Sequence, residues 1–178
     1  MWKVKSVKTA FRNKWWHINE ENVVLPNGKE AKYYIRQGID ATIVVPVTSD
    51  ERIVLIEQYR HGKKRFYTEF PAGLNEENEP PEKTAERELE EETGYVGKIT
   101  SLGSLPRDQG YSDANLHFFL AKDVSKQKNT KLEDTEQITV KTMPLREYKQ
   151  KLLAMQINHG TIDSLAGFLA LSKLGELK

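Results

Sequence analysis

The sequence contains no cysteine, which excludes disulfides, thiolate catalysis and metal sites built from thiolates. It also has no excess of charge of one sign, because 27 Lys and Arg residues stand against 26 Asp and Glu. Broad electrostatic binding to nucleic acid or to a membrane surface usually requires a strong basic excess, so we expect neither partner. The sequence also lacks hydrophobic runs long enough to span a membrane, and its N-terminus lacks the apolar stretch of a secretory signal. A cytoplasmic protein is therefore expected.

The 178 residues are enough for one domain with a buried core, or for a core domain with a small appendage. The turn signal Pro26-Asn27-Gly28 lies between two runs of β-branched and aromatic residues, which predicts a small antiparallel β unit in residues 1–38. Residues 39–178 would then form the main domain. Further strands are predicted at residues 41–47, 53–59, 65–70, 115–121 and 138–142.

The same patterns predict three helices. The first follows Pro80-Pro81 and ends at Gly94, since proline is favoured at a helix start and glycine just after a helix end. The second begins near Pro144, and the third covers residues 162–174. Strands interspersed with a few helices indicate an α/β or α+β layer fold.

The first predicted helix carries six glutamates between positions 82 and 92. Glu88, Glu91 and Glu92 lie within about 100° of each other on the helical wheel, beside the apolar pair that should face the core. Carboxylates at this spacing repel each other, and partial desolvation strengthens the repulsion. A divalent cation such as Mg²⁺ would relieve it, because Mg²⁺ prefers oxygen ligands and combines carboxylates with substrate phosphates. The spacing alone leaves open both a metal site and an ordinary solvated acidic face.

The surrounding residues favour the metal site. From Gly73 the chain has five residues, Glu79, seven residues, Arg87-Glu88-Leu89, one residue, Glu91-Glu92, one residue and Gly94-Tyr95. This pattern resembles the complete signature of the Nudix hydrolases at every fixed position. The resemblance implies a mixed β-sheet between helices, in which the signature forms a loop–helix–loop that holds Mg²⁺ or Mn²⁺. It also assigns roles: Glu88, Glu91, Glu92 and the carbonyl of Ala72 as metal ligands, and Arg87 and Glu79 as supports of the catalytic helix and its loop.

Features outside the signature are similar to the ADP-ribose and nucleotide-sugar pyrophosphatase branch of this family. They are the segment Glu57-Gln58-Tyr59-Arg60, the approach Glu69-Phe70-Pro71-Ala72-Gly73, and the N-terminal β unit, which in that branch serves dimerisation. The resemblance implies a homodimer that cleaves a nucleoside diphosphate sugar to a nucleoside monophosphate and a sugar phosphate. Arg60 would contact phosphate and Glu69 would lie beside the substrate. Arg60 could equally be an ordinary surface arginine at a strand end.

One position departs from the branch. Enzymes specific for ADP-ribose commonly have a proline about 16 residues beyond the last glycine of the signature, whereas here Gln109 precedes Gly110. ADP-ribose and other nucleotide sugars such as GDP-mannose therefore stay open as substrates. Two further alternatives are a Nudix enzyme acting on nucleoside triphosphates or dinucleoside polyphosphates, and a module that senses ADP-ribose without cleaving it.

The general base and the nucleobase contact are the least specific assignments. The acidic segment at residues 131–138 resembles the loop that carries a catalytic glutamate in some family members, with Glu133 as the first choice and Glu136 as the second. An exposed acidic loop is the alternative for either residue. The adjacent Trp15 and Trp16 are expected to point to opposite faces of a strand, where Trp16 could stack on a nucleobase or could belong to the core or the dimer interface.

Overall fold

The computed structural model describes residues 1–132 and 136–177, and in that part the chain forms ten strands and three helices. The chain folds into two compact units. The N-terminal unit consists of Met1–Asp40 together with Leu105–Leu116. The main unit consists of Ala41–Ser104 and His117–Lys178.

The N-terminal unit contains an antiparallel sheet of three strands in the order β1, β2, β3: β1 (Lys3–Arg12), β2 (His17–Val24) and β3 (Glu30–Gln37). The β2–β3 hairpin confirms the predicted turn, in which Gly28 adopts a φ of 81° that favours glycine. Strand β1 was not predicted from the sequence. All of its residues are exposed, so it lacks the half-buried pattern by which strands are recognised.

The paired tryptophans correct one expectation. Trp15 and Trp16 do not lie in a strand but in the connection between β1 and β2. The side-chain oxygen of Asn13 accepts hydrogen bonds from the backbone N–H groups of Trp15 (2.8 Å) and Trp16 (2.7 Å). This local capture of two donors by an asparagine side chain stabilises a turn in place of the predicted strand.

A seven-stranded sheet forms the body of the main unit. Five strands follow the order β10, β5, β4, β9, β8, while β6 pairs with β5 and β7 pairs with β4. Their bounds are β4 (Ala41–Thr48), β5 (Arg52–Arg60), β6 (Arg65–Glu69), β7 (Ala72–Leu74), β8 (Tyr95–Pro106), β9 (Asn115–Lys126) and β10 (Ile138–Pro144). The short strand β7 and the strand β8, which contains two glycines, were not predicted.

Helices cover this sheet: α1 (Pro81–Thr93), α2 (Leu145–Leu153) and α3 (Thr161–Lys173). Val44 and Val54 pack with Ala85 and Leu89 of α1, whereas α3 and α2 contact β4 and β5. Because side chains alternate along a strand, a strand covered on both faces is apolar throughout, as β4 is. The mixed α/β fold with the sheet between helices is thereby confirmed.

The helix boundaries agree with the sequence signals. Pro81 is the first residue of α1, and Gly94 ends it with a left-handed φ of 75° while its N–H donates to the carbonyl of Glu90. Helix α2 follows Pro144, and α3 begins one residue before the predicted start. Nowhere in residues 1–132 or 136–177 is there a helix with the length and hydrophobicity needed to span a membrane.

Candidate active site

Two of the signature glutamates are buried on the sheet-facing side of α1. Glu88 and Glu92 lie one helical turn apart, with only 8% and 3% of their surface exposed. Burial raises the pKa of Glu92 well above its ordinary value, and the charges of Glu88 and Glu136 raise it further. Burial also raises the pKa of Glu88, although the neighbouring Arg87 opposes this rise. Desolvated carboxylates that repel each other are unfavourable for folding alone, so their arrangement points to a bound positive charge.

The backbone of β7 lies directly against these two carboxylates. The N–H of Ala72 donates to Oε2 of Glu92 over 3.0 Å. A methyl group placed on Gly73 would lie 1.8 Å from Oε1 of Glu88, so only glycine permits this approach. The requirement for glycine at the start of the signature is thus a packing requirement of the Glu88 side chain.

Arg87 and Glu79 hold the loop and the helix together. Arg87 donates from Nε to Oε1 of Glu79 (3.0 Å) and from Nη2 to Oε2 of Glu79 (2.9 Å) and to the carbonyl of Leu74 (3.2 Å). Together with a hydrogen bond from the Thr84 hydroxyl, this pairing lowers the pKa of Glu79 to about 2. Nη1 of Arg87 also lies 2.6 Å from Glu88 and 3.3 Å from Glu91, so one guanidinium orients three carboxylates.

The donor set suits a hard divalent cation. In the portion of the chain that the structure describes, no three His, Asp or Glu side chains are gathered into a ready-made ion site. Glu88 pairs with Arg87, Glu92 accepts the Ala72 N–H, and Glu91 is partly exposed. Mg²⁺ commonly binds through one or two carboxylates, retained waters and substrate phosphates, so two buried carboxylates fit it.

The chain after β9 contacts the C-terminal end of α1. The N–H groups of Gln127 and Lys128 donate to the carbonyl of Gly94, and the N–H of Lys131 donates to the carbonyl of Glu91. Glu136 lies close enough for its charge to raise the pKa of both Glu88 and Glu92. Glu133, the first choice for the general base, lies outside the described residues.

Arg60 and Glu69, the two expected substrate contacts of the main unit, form an ion pair with each other. Arg60 donates from Nε to Oε1 of Glu69 (2.9 Å) and from Nη2 to Oε2 (2.5 Å). Glu69 is buried, whereas about half of the Arg60 side chain is exposed. The hydrogen bonds to Glu69 raise the pKa of Arg60, and the charge of Glu92 adds to this rise.

Trp16 lies in a cavity within the N-terminal unit. The cavity has a volume of about 470 Å³ and is lined by Trp16, Arg36 and residues 108–112, which include Gln109. The guanidinium of Arg36 stacks over the Trp16 ring at 4.3 Å from its centroid. Arg36 was not selected from the sequence, because nothing in its local pattern distinguishes it from Lys32, the other cation of β3.

Sequence reasoning also missed a buried polar group behind the site. Asp163 is 8% exposed, and its Oδ1 accepts a hydrogen bond from the N–H of Phe70 over 2.9 Å. A usable signal was present, since Asp163 is the one acidic residue of α3, a helix that is apolar at residues 165–171. That signal gives no indication of the partner, which lies 93 positions earlier in the chain.

Comparisons with known proteins agree with this geometry. The NUDIX domain model matches residues 38–164, and the model of the nucleoside diphosphate sugar hydrolase N-terminal domain matches residues 2–35. An ADP-ribose pyrophosphatase of Bacillus subtilis is 38% identical over 129 residues, which cover 71% of this chain and 70% of that protein. A methanol dehydrogenase activator of Bacillus methanolicus is 34% identical over 86% of this chain and 85% of its own length.

A crystal structure of an ADP compounds hydrolase shares the fold, with a TM-score of 0.86 at 22% identity over 99% of this chain and 97% of that one. The family resemblance drawn from the signature is confirmed, as is the interpretation of the chain as a hydrolase of that family. The chain belongs to the NUDIX domain family.

Proposed function

We propose that this chain is a Mg²⁺-dependent (or Mn²⁺-dependent) pyrophosphohydrolase of nucleoside diphosphate sugars. Its substrate would be ADP-ribose or a related nucleotide sugar such as GDP-mannose, and its products a nucleoside monophosphate and a sugar phosphate. The observation that carries the proposal is the burial of Glu88 against the backbone of Gly73 and of Glu92 against the backbone of Ala72. Support comes from the relative named ADP-ribose pyrophosphatase and from the matched N-terminal domain.

In this proposal, the cation is held by Glu88, Glu91, Glu92 and the carbonyl of Ala72. When bound, it would neutralise charge on the pyrophosphate as a phosphorus–oxygen bond breaks and would make the attacking water more acidic. The chain itself would do the positioning, since phosphoryl transfer needs little covalent help from protein groups. Arg87 would orient the carboxylates, and Arg60, paired with Glu69, would contact phosphate oxygens.

A glutamate after β9 would accept the proton of the attacking water. Glu136 is supported by its charge, which adds to the effect of burial in raising the pKa of both Glu88 and Glu92. Glu133 stays in the proposal on the resemblance alone. A general base must lie within hydrogen-bonding distance of the water, directly or through one further water.

The cavity beside Trp16 would bind the nucleobase. Its volume of about 470 Å³ falls in the range of small-molecule sites. About half of the Trp16 surface is exposed, and Arg36 already stacks on its ring, so a flat aromatic group can pack there. Gln109, at the position where ADP-ribose-specific enzymes commonly have proline, lines the same cavity and would contribute to the choice of base or sugar.

A cytoplasmic homodimer is the remaining part of the proposal. Strand β1 is an edge strand of the three-stranded sheet, and it exposes Val4, Val7 and Phe11. The unpaired backbone groups of an edge strand can pair with another chain, and a second copy of this chain would cover these apolar side chains. Neither nucleic acid nor a membrane is part of the proposed set of partners.

Product analysis by chromatography tests the function. The protein is incubated with Mg²⁺ and, in turn, ADP-ribose, GDP-mannose, other nucleotide sugars, nucleoside triphosphates and dinucleoside polyphosphates. We expect a nucleoside monophosphate and a sugar phosphate from at least one diphosphate sugar, and the order of rates then identifies the substrate. Turnover of only triphosphates or dinucleoside polyphosphates would reject the assignment to the nucleotide-sugar pyrophosphatase branch. Binding of ADP-ribose without turnover would favour a sensing module.

A further inference from the structure

The segment Thr68–Ala72 joins β6 to β7 and carries two groups of the candidate site, Glu69 and the carbonyl of Ala72. At the C-terminal end of this segment, the N–H of Ala72 donates to Glu92. Near its middle, the carbonyl of Pro71 accepts the N–H of Val44 over 3.0 Å. In the sheet, Thr68 and Glu69 pair with β5, and Ala72 pairs with β4. Further contacts come from a different part of the fold, the loop before α3 and the first turn of α3.

Asp163, in the first turn of α3, provides the contact at Phe70. Its carboxylate is buried, and Oδ1 accepts the Phe70 N–H over 2.9 Å. Burial raises the pKa of Asp163 to about 7, so this acid is kept in the core at a cost to folding. An acid is favoured in the first turn of a helix, and this one also accepts the Phe70 N–H, which a leucine or alanine could not do.

His159, in the loop before α3, provides the contact at Thr68. Its Nδ1 lies 2.5 Å from the carbonyl of Thr68, which can only accept, so Nδ1 carries the proton. Nε2 is then the acceptor for the hydroxyl of Tyr148 at 3.1 Å. The neighbouring Asn158 completes the connection, because its carbonyl accepts the N–H of Thr68 over 2.9 Å.

The aromatic rings fix the same segment by packing. The Phe70 ring lies 5.3 Å from the His159 ring and 5.8 Å from the Tyr148 ring, measured between centroids. Tyr148 is fully buried, and its hydroxyl lies so close to Gly167 of α3 that a methyl group there would be 2.0 Å away. The imidazole, the phenol and the carboxylate therefore have little freedom to move relative to α3.

We propose that Asp163 and His159 are positioning residues for the hydrolytic site: they fix the backbone of Thr68–Ala72 so that Glu69 keeps its place beside Arg60 and Ala72 keeps its place beside Glu92. The inference rests on the proposed function. Phe70 and Ala72 are two residues apart, so their N–H groups are the two anchors on either side of Pro71. Removing the anchor at Phe70 frees the segment that presents the Ala72 carbonyl.

The test compares Asp163→Ala with Leu171→Ala. Leu171 is buried in the same helix but is not bonded to the segment, so its variant is matched for loss of core packing. Binding of Mn²⁺ to the full chain without substrate is measured by electron paramagnetic resonance, and hydrogen exchange is followed in a peptide covering residues 68–73. Loss of a group that orients metal ligands commonly weakens metal binding about 10- to 100-fold, and we expect the lower figure for Asp163→Ala.

In the same comparison, we expect faster exchange of the Phe70 peptide in Asp163→Ala than in Leu171→Ala, and Mn²⁺ binding close to the original value in Leu171→Ala. Asp163→Asn should recover much of the Mn²⁺ affinity, because the amide oxygen can still accept the Phe70 N–H. If Asp163→Ala does not fold, His159→Phe replaces it, since this change keeps the ring packing but removes the bond to Thr68.

The inference is overturned if the Asp163 and Leu171 variants have the same Mn²⁺ affinity and the same exchange rate. It is also overturned if both variants lose Mn²⁺ affinity to the same extent. Absence of Mn²⁺ binding and of hydrolysis in the unmodified chain would instead reject the proposed function. In that case the exchange measurement still decides whether Asp163 fixes the segment.

Discussion

The two units hold their chemically important side chains in opposite ways. In the main unit, Glu88 and Glu92 are buried and held by bonds from Arg87 and from the backbone of Ala72. In the N-terminal unit, Trp16 is half exposed, and the guanidinium of Arg36 stacks on its ring. Charges that act on a breaking bond need a fixed geometry in a site with little water, whereas stacking on a flat ring tolerates exposure. We therefore expect changes in the main unit to affect turnover and changes around Trp16 to affect substrate affinity.

The largest expected effect is that of Glu92→Gln. Losing one carboxylate of the cluster removes several kcal/mol of charge stabilisation, so kcat should fall about 10³-fold. The amide can still accept the Ala72 N–H, and a buried charge is removed, so the melting temperature should stay the same or rise. Steady-state kinetics and thermal unfolding measure the two quantities. Unchanged turnover would reject Glu92 as a metal ligand.

The second largest effect is expected from replacing the general base. Replacement of the true base by glutamine should lower kcat about 100-fold or more while leaving KM nearly unchanged. Glu136→Gln and Glu133→Gln are compared with Glu147→Gln, a change of an exposed glutamate that pairs with Lys151 on α2. A loss of turnover in one of the first two variants identifies the base. Full activity in both would show that the proton is accepted elsewhere.

Gly73→Ala tests the packing that brings β7 to the carboxylates. The added methyl group would meet Glu88 at 1.8 Å, so Glu88 must move and metal affinity should fall about 10- to 100-fold. Gly62→Ala is the matched control, because a methyl group on Gly62 meets no atom within 4 Å. The Mg²⁺ concentration at half-maximal activity measures the effect. A similar value in both variants would contradict the close approach.

Trp16→Ala extends the comparison to the N-terminal unit. Stacking of a base on an aromatic ring contributes about 1–3 kcal/mol, so KM should rise at least about fivefold with little change in kcat. Trp16→Phe should retain most of the affinity, while Trp15→Ala, beside it in the turn, serves as the control. A fall in kcat with unchanged KM would remove Trp16 from substrate binding and would end the contrast between the units.

Local signals explain which parts of the fold were predictable. Helix α1 was predicted because Pro81 and Gly94 mark its ends, and strands β4 and β5 because their apolar runs are long. The carboxylate cluster was recognised because its spacing is fixed within one helix. Strand β1 was missed because its exposed surface has no buried face to leave a pattern.

The parts that were not predictable depend on contacts between distant residues. The bond from Phe70 to Asp163 joins positions 93 apart, and the stacking of Arg36 on Trp16 joins β3 to the turn before β2. The prediction of a strand at Trp15 and Trp16 was wrong for a local reason. The Asn13 side chain stabilises a turn there, and strand propensity takes no account of such a side-chain contact. Sequence thus indicated the supports within the signature, Arg87 and Glu79, but not Asp163 or Arg36, whose partners are distant in the chain.

The smallest expected effect concerns acid stability, where the units resemble each other. Each contains a carboxyl with a pKa lowered to about 2: Glu20, which accepts a hydrogen bond from Tyr34 and pairs with Lys32 and Lys8, and Glu79, which pairs with Arg87. A lowered pKa in the folded state stabilises the fold above the unfolded value of 4.5, and this stability is lost as the pH falls towards 2.

Glu20→Gln and Glu79→Gln should each lower the melting temperature at pH 7 and reduce its decline between pH 4.5 and pH 2, as measured by thermal unfolding across that range. Of the two variants, only Glu79→Gln should also reduce turnover. Glu79, unlike Glu20, pairs with the arginine that orients the carboxylate cluster. Equal losses of turnover in both variants would show that the supports of the two units are not separate. A loss confined to Glu79→Gln would show that the same ion-pair chemistry serves stability in one unit and catalysis in the other.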